Sequence, residues 1–363
     1  MHNKIADILQ KSVLSKNDLI ILLSANKDNA EIIFNKAAEI KTKYIGNYTY
    51  FRGLIELSNI CTRNCLYCGI RSGNKNAERY MISDEEVFNS VKYALDRHWG
   101  SVVIQSGERS DTAFIDKVEH ILRQITQMCE KKPGITLSLG EQKTDTFKRW
   151  FDAGATRYLL RIESSNPDIF KKIHPQDKLH NLERRIENLY TLQKLGYITG
   201  TGVMIGLPFQ TIEDLANDLL FMQKLDIDMI GMGPYIEHED TPLYQYRDLL
   251  LPIEERYFLS LKMIAVLRIL MKDVNIASST ALQAINPDGR EEGIRVGANV
   301  IMPNITPVRY HKSYNLYKGK PDIPPETDNY IKILEKQIAL AGDKVGYGDK
   351  GDPKHFFRRT VER

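Results

Sequence analysis

The chain has 363 residues, and 50 Lys and Arg against 47 Asp and Glu leave a formal net charge of +3, with no long acidic or basic block to attract a nucleic acid. Its 42% hydrophobic and 27% charged residues suit a globular protein and exclude a disordered one, and no apolar run reaches the roughly 18 residues of a membrane span. The opening "MHNKIADILQKS" breaks its apolar positions with charge, unlike a secretory leader, so a cytoplasmic chain with neither membrane nor nucleic acid as partner is expected.

In chain order, residues 1–48 read as a helical extension. Apolar positions recur at three and four in "IADILQKSVLSKNDLIILL", and "SKND" at 15–18 offers a capping-box start. From residue 49 the rhythm changes to short β-rich runs alternating with amphipathic helical stretches. Eight such runs occur, at 50–58, 101–107, 135–140, 157–163, 199–206, 228–235, 275–281 and 298–303. Without a Gly-rich dinucleotide fingerprint after the first, this series predicts an α/β fold, a (β/α)8 TIM barrel over 49–342. The tail, 343–363, is Gly-rich and polar and reads as a surface extension without chemistry.

Four cysteines in so long a chain cannot form a disulfide framework, and three of them crowd into "NICTRNCLYCGIRSGN", residues 59–74. Cys61, Cys65 and Cys68 follow the first strand, on the barrel rim where active sites are built. A structural zinc takes four ligands, usually with a second pair elsewhere, yet Cys129 falls in an expected outer helix. A 4Fe-4S cluster normally takes four thiolates, so three leave one iron open to a chelating small molecule. The spacing C-x3-C-x-aromatic-C, with Tyr67 as the aromatic, resembles the signature of the radical S-adenosylmethionine superfamily. The resemblance implies one 4Fe-4S cluster whose open iron chelates S-adenosylmethionine and whose electron splits it into methionine and a 5'-deoxyadenosyl radical. No catalytic side chain is expected beyond the cluster and this cofactor.

The remaining rim carries further elements of that resemblance. "QSGE", Gln105, Ser106, Gly107 and Glu108, stands where the superfamily binds the cofactor's amino group, with Ser106 replacing a Gly; a βα turn needing Gly at positive φ is the plainer reading. "RIES" puts Arg161 and Glu163 on one face of the fourth strand, either as a rim salt bridge or, by resemblance, with Glu163 on the ribose hydroxyls. Arg185 would meet the cofactor carboxylate, with Arg184 as the competing choice. "TGVMIGLPFQTIEDL" resembles the adenine loop, through Met204, Gly206, Leu207 and Pro208, and equally suits barrel packing.

Strings such as "IELSNICTRNCLYCGIRSGNKNAERY", "RYLLRIESSNP", "DMIGMGPYIEHEDTPL" and "GANVIMPNITP" resemble the FeFe-hydrogenase maturase branch of the biotin synthase-like barrels, called HydE, from about residue 5 to 345. That resemblance implies a role in building the two-iron subcluster of the hydrogenase, by radical attack on the sulfur of a cysteine-bound Fe(CO)2(CN) synthon. It also implies partner maturases and an electron donor. Substrate contacts carried by motif are Arg52, Thr136, Ser138, Ser279, Thr280, Met302 and Tyr310, some of which suit ordinary barrel layers equally. No cysteine follows Cys129, so an accessory C-terminal cluster is not expected. Two alternatives are a methylornithine synthase-like mutase and a non-catalytic iron–sulfur carrier.

Overall fold

Eight parallel strands hydrogen-bond in chain order around a ring, each within or against one of the β-rich runs. They are β1 (Tyr48–Ser58), β2 (Ser101–Ser106), β3 (Gly134–Ser138), β4 (Arg157–Leu159), β5 (Ile198–Thr201), β6 (Met229–Ile230), β7 (Asn275–Ile276) and β8 (Val300–Ile301). This computed structural model describes residues 2–129, 132–321 and 328–361. The ring closes where β8 pairs with β1 at Tyr50 and Val300, and where Ser278 N donates to Val300 O and Asn299 N to Ile276 O, both at 2.9 Å. Met204–Ile205 and Gly233–Pro234 form a second, two-stranded parallel sheet just beyond β5 and β6. Alternation sets the two faces of β1: Leu54 and Glu56 line the interior cavity, while Phe51, Ile55 and Leu57 join the hydrophobic core.

Helices α1 (His2–Leu9), α2 (Lys16–Leu23) and α3 (Lys27–Tyr44) precede the barrel. Ser15 starts α2 with a full capping box: its Oγ accepts from Asp18 N at 3.2 Å and Asp18 Oδ2 accepts from Ser15 N at 2.9 Å. Ile5, Leu19, Leu22 and Ile33 are buried in the same apolar cluster as the barrel, so these helices share its core. They pack on two barrel helices, Ile212–Lys224 and Ile253–Leu270; Phe34 meets Phe258 edge-on at 5.9 Å.

The tail is not a surface extension. It pairs with Tyr48 and Thr49 through Lys344–Val345, then turns under the N-terminal end of the barrel. Arg157 Nη2 donates to Lys350 O at 2.6 Å, Arg52 Nη2 to Gly351 O at 3.0 Å and Asn275 Nδ2 to Gly351 O at 2.7 Å, while Asp352 accepts from Arg157 Nε at 2.9 Å. The last helix, Lys354–Val361, clamps on through Arg359 to Asp228 at 2.7 Å. The physical reason is that the barrel floor is polar and buried, and its donors need acceptors. Backbone carbonyls of a Gly- and Asp-rich segment supply them, in residues whose composition alone resembles solvated loop.

Candidate active site

At the opposite end, the strand C-termini and following loops surround a cavity of about 370 Å³. Cys61, Cys65 and Cys68 are free thiols and all line it. Their loop is stitched to the turn after β2: Thr62 N donates to Glu108 O at 2.9 Å and Gly107 N to Ser58 O at 2.8 Å. Gly107 is required here for close approach, since a Cβ would lie 2.8 Å from the Cys61 Cβ; its φ is not positive, so the turn geometry expected for it is not the reason. Cys61 Sγ accepts from Arg63 N at 3.4 Å and Glu108 N at 3.3 Å. Burial pushes the Cys65 thiol up to about 12 and Cys68 higher still, so holding them as thiolates needs a cation. Thiolates of a four-iron cluster each bind a different iron, so three of them on one loop need not converge on a single point. His174 and His180, whose H-x5-H spacing also suits zinc, are engaged with Phe170 O and Asp177 through their Nδ1 atoms, and His180 Nε2 accepts from Asn64 N. Three thiols on one loop, all lining one cavity, match the donor chemistry that a 4Fe-4S cluster takes with one iron left open.

Beside them four charges interlock. Arg185 Nε donates to Glu141 at 2.8 Å and its Nη2 lies 3.8 Å from Glu108, while Arg63 pairs with Glu108 and sits 3.6 Å from Glu141. Burial pushes the Glu108 carboxyl up, opposed by Arg185 and Arg63; burial also works against the Arg185 charge, but Glu141 and Glu108 hold it above its ordinary range. Arg185 lines the cavity, and Arg184 does not: it is about half exposed and only grazes Glu141 at 3.4 Å. The fourth strand ends at Leu159, so Arg161 and Glu163 do not share a strand face as expected; they pair in the loop that follows it, at 2.8 Å from Nη2 to Oε2, and both line the cavity. Arg161 also donates to Gly231 O at 2.7 Å, tying the fourth strand's end to the sixth.

The cavity further collects Tyr67, Gln105, Ser106, Gly107, Met204, Ser138, Ser279, Thr280 and Met302. Leu207 is packed instead into an apolar cluster with Ile169, Ile173 and Tyr235, and neighbouring Pro208 is likewise buried; neither lines the cavity. Three substrate candidates lie elsewhere. Arg52 is in the barrel floor, bound to Gly351 O and Met229 Sδ; Thr136 is buried below the cavity; Tyr310 stacks on Tyr80 at 4.6 Å on the way to Glu86. Sequence reasoning missed Arg63, Glu141, Glu56, Lys320, Tyr314 and Tyr317. Glu56 was detectable as a charge inside the apolar run "GLIELS"; Lys320, which reaches it at 2.5 Å from a loop after β8, carried no mark.

Residues 55–222 match the family described as the Radical SAM superfamily. The FeFe hydrogenase maturase subunit HydE of Thermotoga maritima is 41% identical over 98% of both chains. The 3-methylornithine synthase of Methanosarcina acetivorans is 24% identical over 81% of this chain and 80% of its own. Among solved structures, methylornithine synthase superposes with a TM-score of 0.78 at 22% identity over 99% of both chains, and the maturase HydG of Carboxydothermus hydrogenoformans with 0.80 at 18% identity over 98% and 82%. At those identities the superpositions speak for the fold. With a closed parallel barrel, three cysteines at its mouth and likeness along its whole length, the chain belongs to the radical S-adenosylmethionine superfamily and, within it, is an enzyme of the HydE family of hydrogenase maturases.

Proposed function

We propose that the cavity holds S-adenosylmethionine over a 4Fe-4S cluster on Cys61, Cys65 and Cys68, with a cysteine-bound Fe(CO)2(CN) synthon deeper in the barrel. Bound there, cluster and cofactor would supply one-electron chemistry, reductive cleavage of the sulfonium and radical attack on the synthon's sulfur, on the way to the two-iron subcluster. The chain's own part is placement. Arg185, made rigid by Glu141, presents a guanidinium to a carboxylate; Glu108 and the Gln105–Gly107 backbone face an ammonium; Glu163 faces ribose hydroxyls. Ser138, Ser279 and Thr280 offer hydroxyl donors to cyanide and carbonyl groups, while Leu54, Leu159 and Met302 exclude water.

One observation carries this reading: the thiols, the buried charges of the rim and the hydroxyl-bearing strand ends all open into one cavity. The methylornithine synthase fold supports a second reading, rearrangement of a lysine skeleton, on shape alone. The test is the anaerobically reconstituted, reduced protein given S-adenosylmethionine with either the synthetic cysteine–iron–carbonyl–cyanide complex or lysine. Expected are methionine and 5'-deoxyadenosine, and an adenosylated iron species by spin resonance with the complex alone. Consumption of lysine would instead establish the mutase, and a full cluster without cofactor cleavage would establish a carrier.

A further inference from the structure

One buried acid near the rim has no part in the roles above. Asp218, on the helix Ile212–Lys224, is fully buried; its Oδ1 accepts from Ser165 N at 2.7 Å and Ser165 Oγ at 2.6 Å, and its Oδ2 has no hydrogen-bond partner. One turn earlier Asp214 accepts from Asn166 Nδ2 at 2.7 Å and closes the helix's capping box with Thr211. Residues four apart share a helix face, so the two carboxylates grip consecutive residues of one turn. Burial pushes the Asp218 carboxyl up to about 7 even against the Ser165 bonds. A carboxylate with an orphaned buried oxygen is a poor choice for stability alone.

The gripped turn begins just after Glu163, whose φ is +63°, a left-handed conformation disfavoured in a residue with a Cβ. Glu163 N donates to Gly202 O and Glu163 O accepts from Met204 N, both at 3.0 Å, which secures the backbone on the side of the fifth strand. On the other side the turn closes on itself where Ser164 Oγ accepts from Asn166 N at 3.2 Å, and the side chains that hold it from the neighbouring helix are those of Asp218 and Asp214. The same helix is entered from Gln210, whose Oε1 accepts from Gly206 N at 2.8 Å, so it touches both loops expected at the nucleoside.

We propose that Asp218, seconded by Asp214, is a positioning residue for the cofactor site, holding the Ser165–Asn166 turn so that Glu163 keeps its left-handed backbone and turns its carboxylate into the cavity. This rests on the reading of Glu163 as a ribose contact. The test is equilibrium binding of S-adenosylmethionine to the reconstituted full chain, with iron content and Tm measured alongside, for Asp218→Ala, Glu163→Ala and the double variant. Asp218→Ala is expected to keep its iron and weaken binding about tenfold, yet to add less than about twofold in the Glu163→Ala background, as coupled residues do. Asp218→Asn, which keeps the oxygen that accepts both Ser165 bonds but not its charge, should fall between. Should Asp218→Ala fail to fold, Ser165→Ala removes one of the two bonds without touching the helix and is expected to weaken binding in the same non-additive way. Unchanged affinity in these variants while Glu163→Ala is impaired, or a loss that adds in full, would overturn the positioning role alone. Unchanged affinity in Glu163→Ala itself would overturn the ribose assignment and the route through it.

Discussion

Arg185 and Arg184 are neighbours in sequence with the same charge, and helical geometry alone separates them. A step of 100° turns Arg185 into the cavity against Glu141 and leaves Arg184 about half in solvent. A guanidinium offers a planar fork that an ammonium cannot reproduce, so Arg185→Lys is expected to weaken S-adenosylmethionine binding about tenfold or more, and Arg184→Lys to leave it within about twofold. Titration of the two variants side by side checks this, and equal losses would reject the assignment. The cysteines divide in the same way. Cys65→Ala should abolish the visible absorbance of the reconstituted cluster, whereas Cys129→Ala, at the far end of the helix Thr112–Met128, should leave that spectrum as it is; its loss would show that the ligands are misassigned. The cysteine spacing was legible because three soft ligands in so few positions have few other uses. Arg63 lies inside the same motif yet was unreadable, because its value comes from Glu108 and Glu141, which reach it from the loops after β2 and β3.

Among elements, the strands were legible and the tail was not. Each β-rich run yielded a barrel strand because interior and helix-facing sides both favour apolar or β-branched residues over a few positions. The tail's meaning resides in carbonyl oxygens, which every sequence has. Its last helix is pinned by His355, with Nδ1 2.9 Å from Asp273 and Nε2 2.9 Å from Asp226; Asp228 and Arg358 also face it. Although burial works against the charge, Asp273 and the other acids hold the His355 pKa above its ordinary 6.5. A raised histidine contributes stability that is fully present below the unfolded pKa and is lost as pH rises through the folded one. His355→Gln should therefore melt below wild type at pH 6, by a margin on the order of 1.5–3 kcal/mol for charged hydrogen bonds, and the gap should close as pH rises through the raised folded pKa. Paired melting curves from pH 5.5 to 9 decide it; a gap that widens with pH would mean the imidazole is neutral in the fold.

At the scale of the whole molecule the barrel has two unlike ends, and the strands between them decouple stability from chemistry. The mouth gathers thiols and charges on loops, where small shifts retune binding; the floor is sealed by the tail, with Arg157 fully buried and its charge answered by Asp352. Replacing that carboxylate by a neutral amide keeps an oxygen acceptor but takes the paired charge from a buried guanidinium, leaving it the Lys350 carbonyl and the field of Asp349, a loss of about 2 kcal/mol for a charge-assisted bond whose acceptor is partly exposed. Because the strands hold the mouth through their own ladder, that loss should not reach the cofactor. Asp352→Asn is thus expected to lower Tm while leaving the iron content and the affinity for S-adenosylmethionine unchanged, as a floor devoted to stability requires. If affinity fell in step with Tm, the tail would be coupled to the mouth through the barrel interior, and Arg52 and Thr136, which lie between the two, would be the residues through which to trace it.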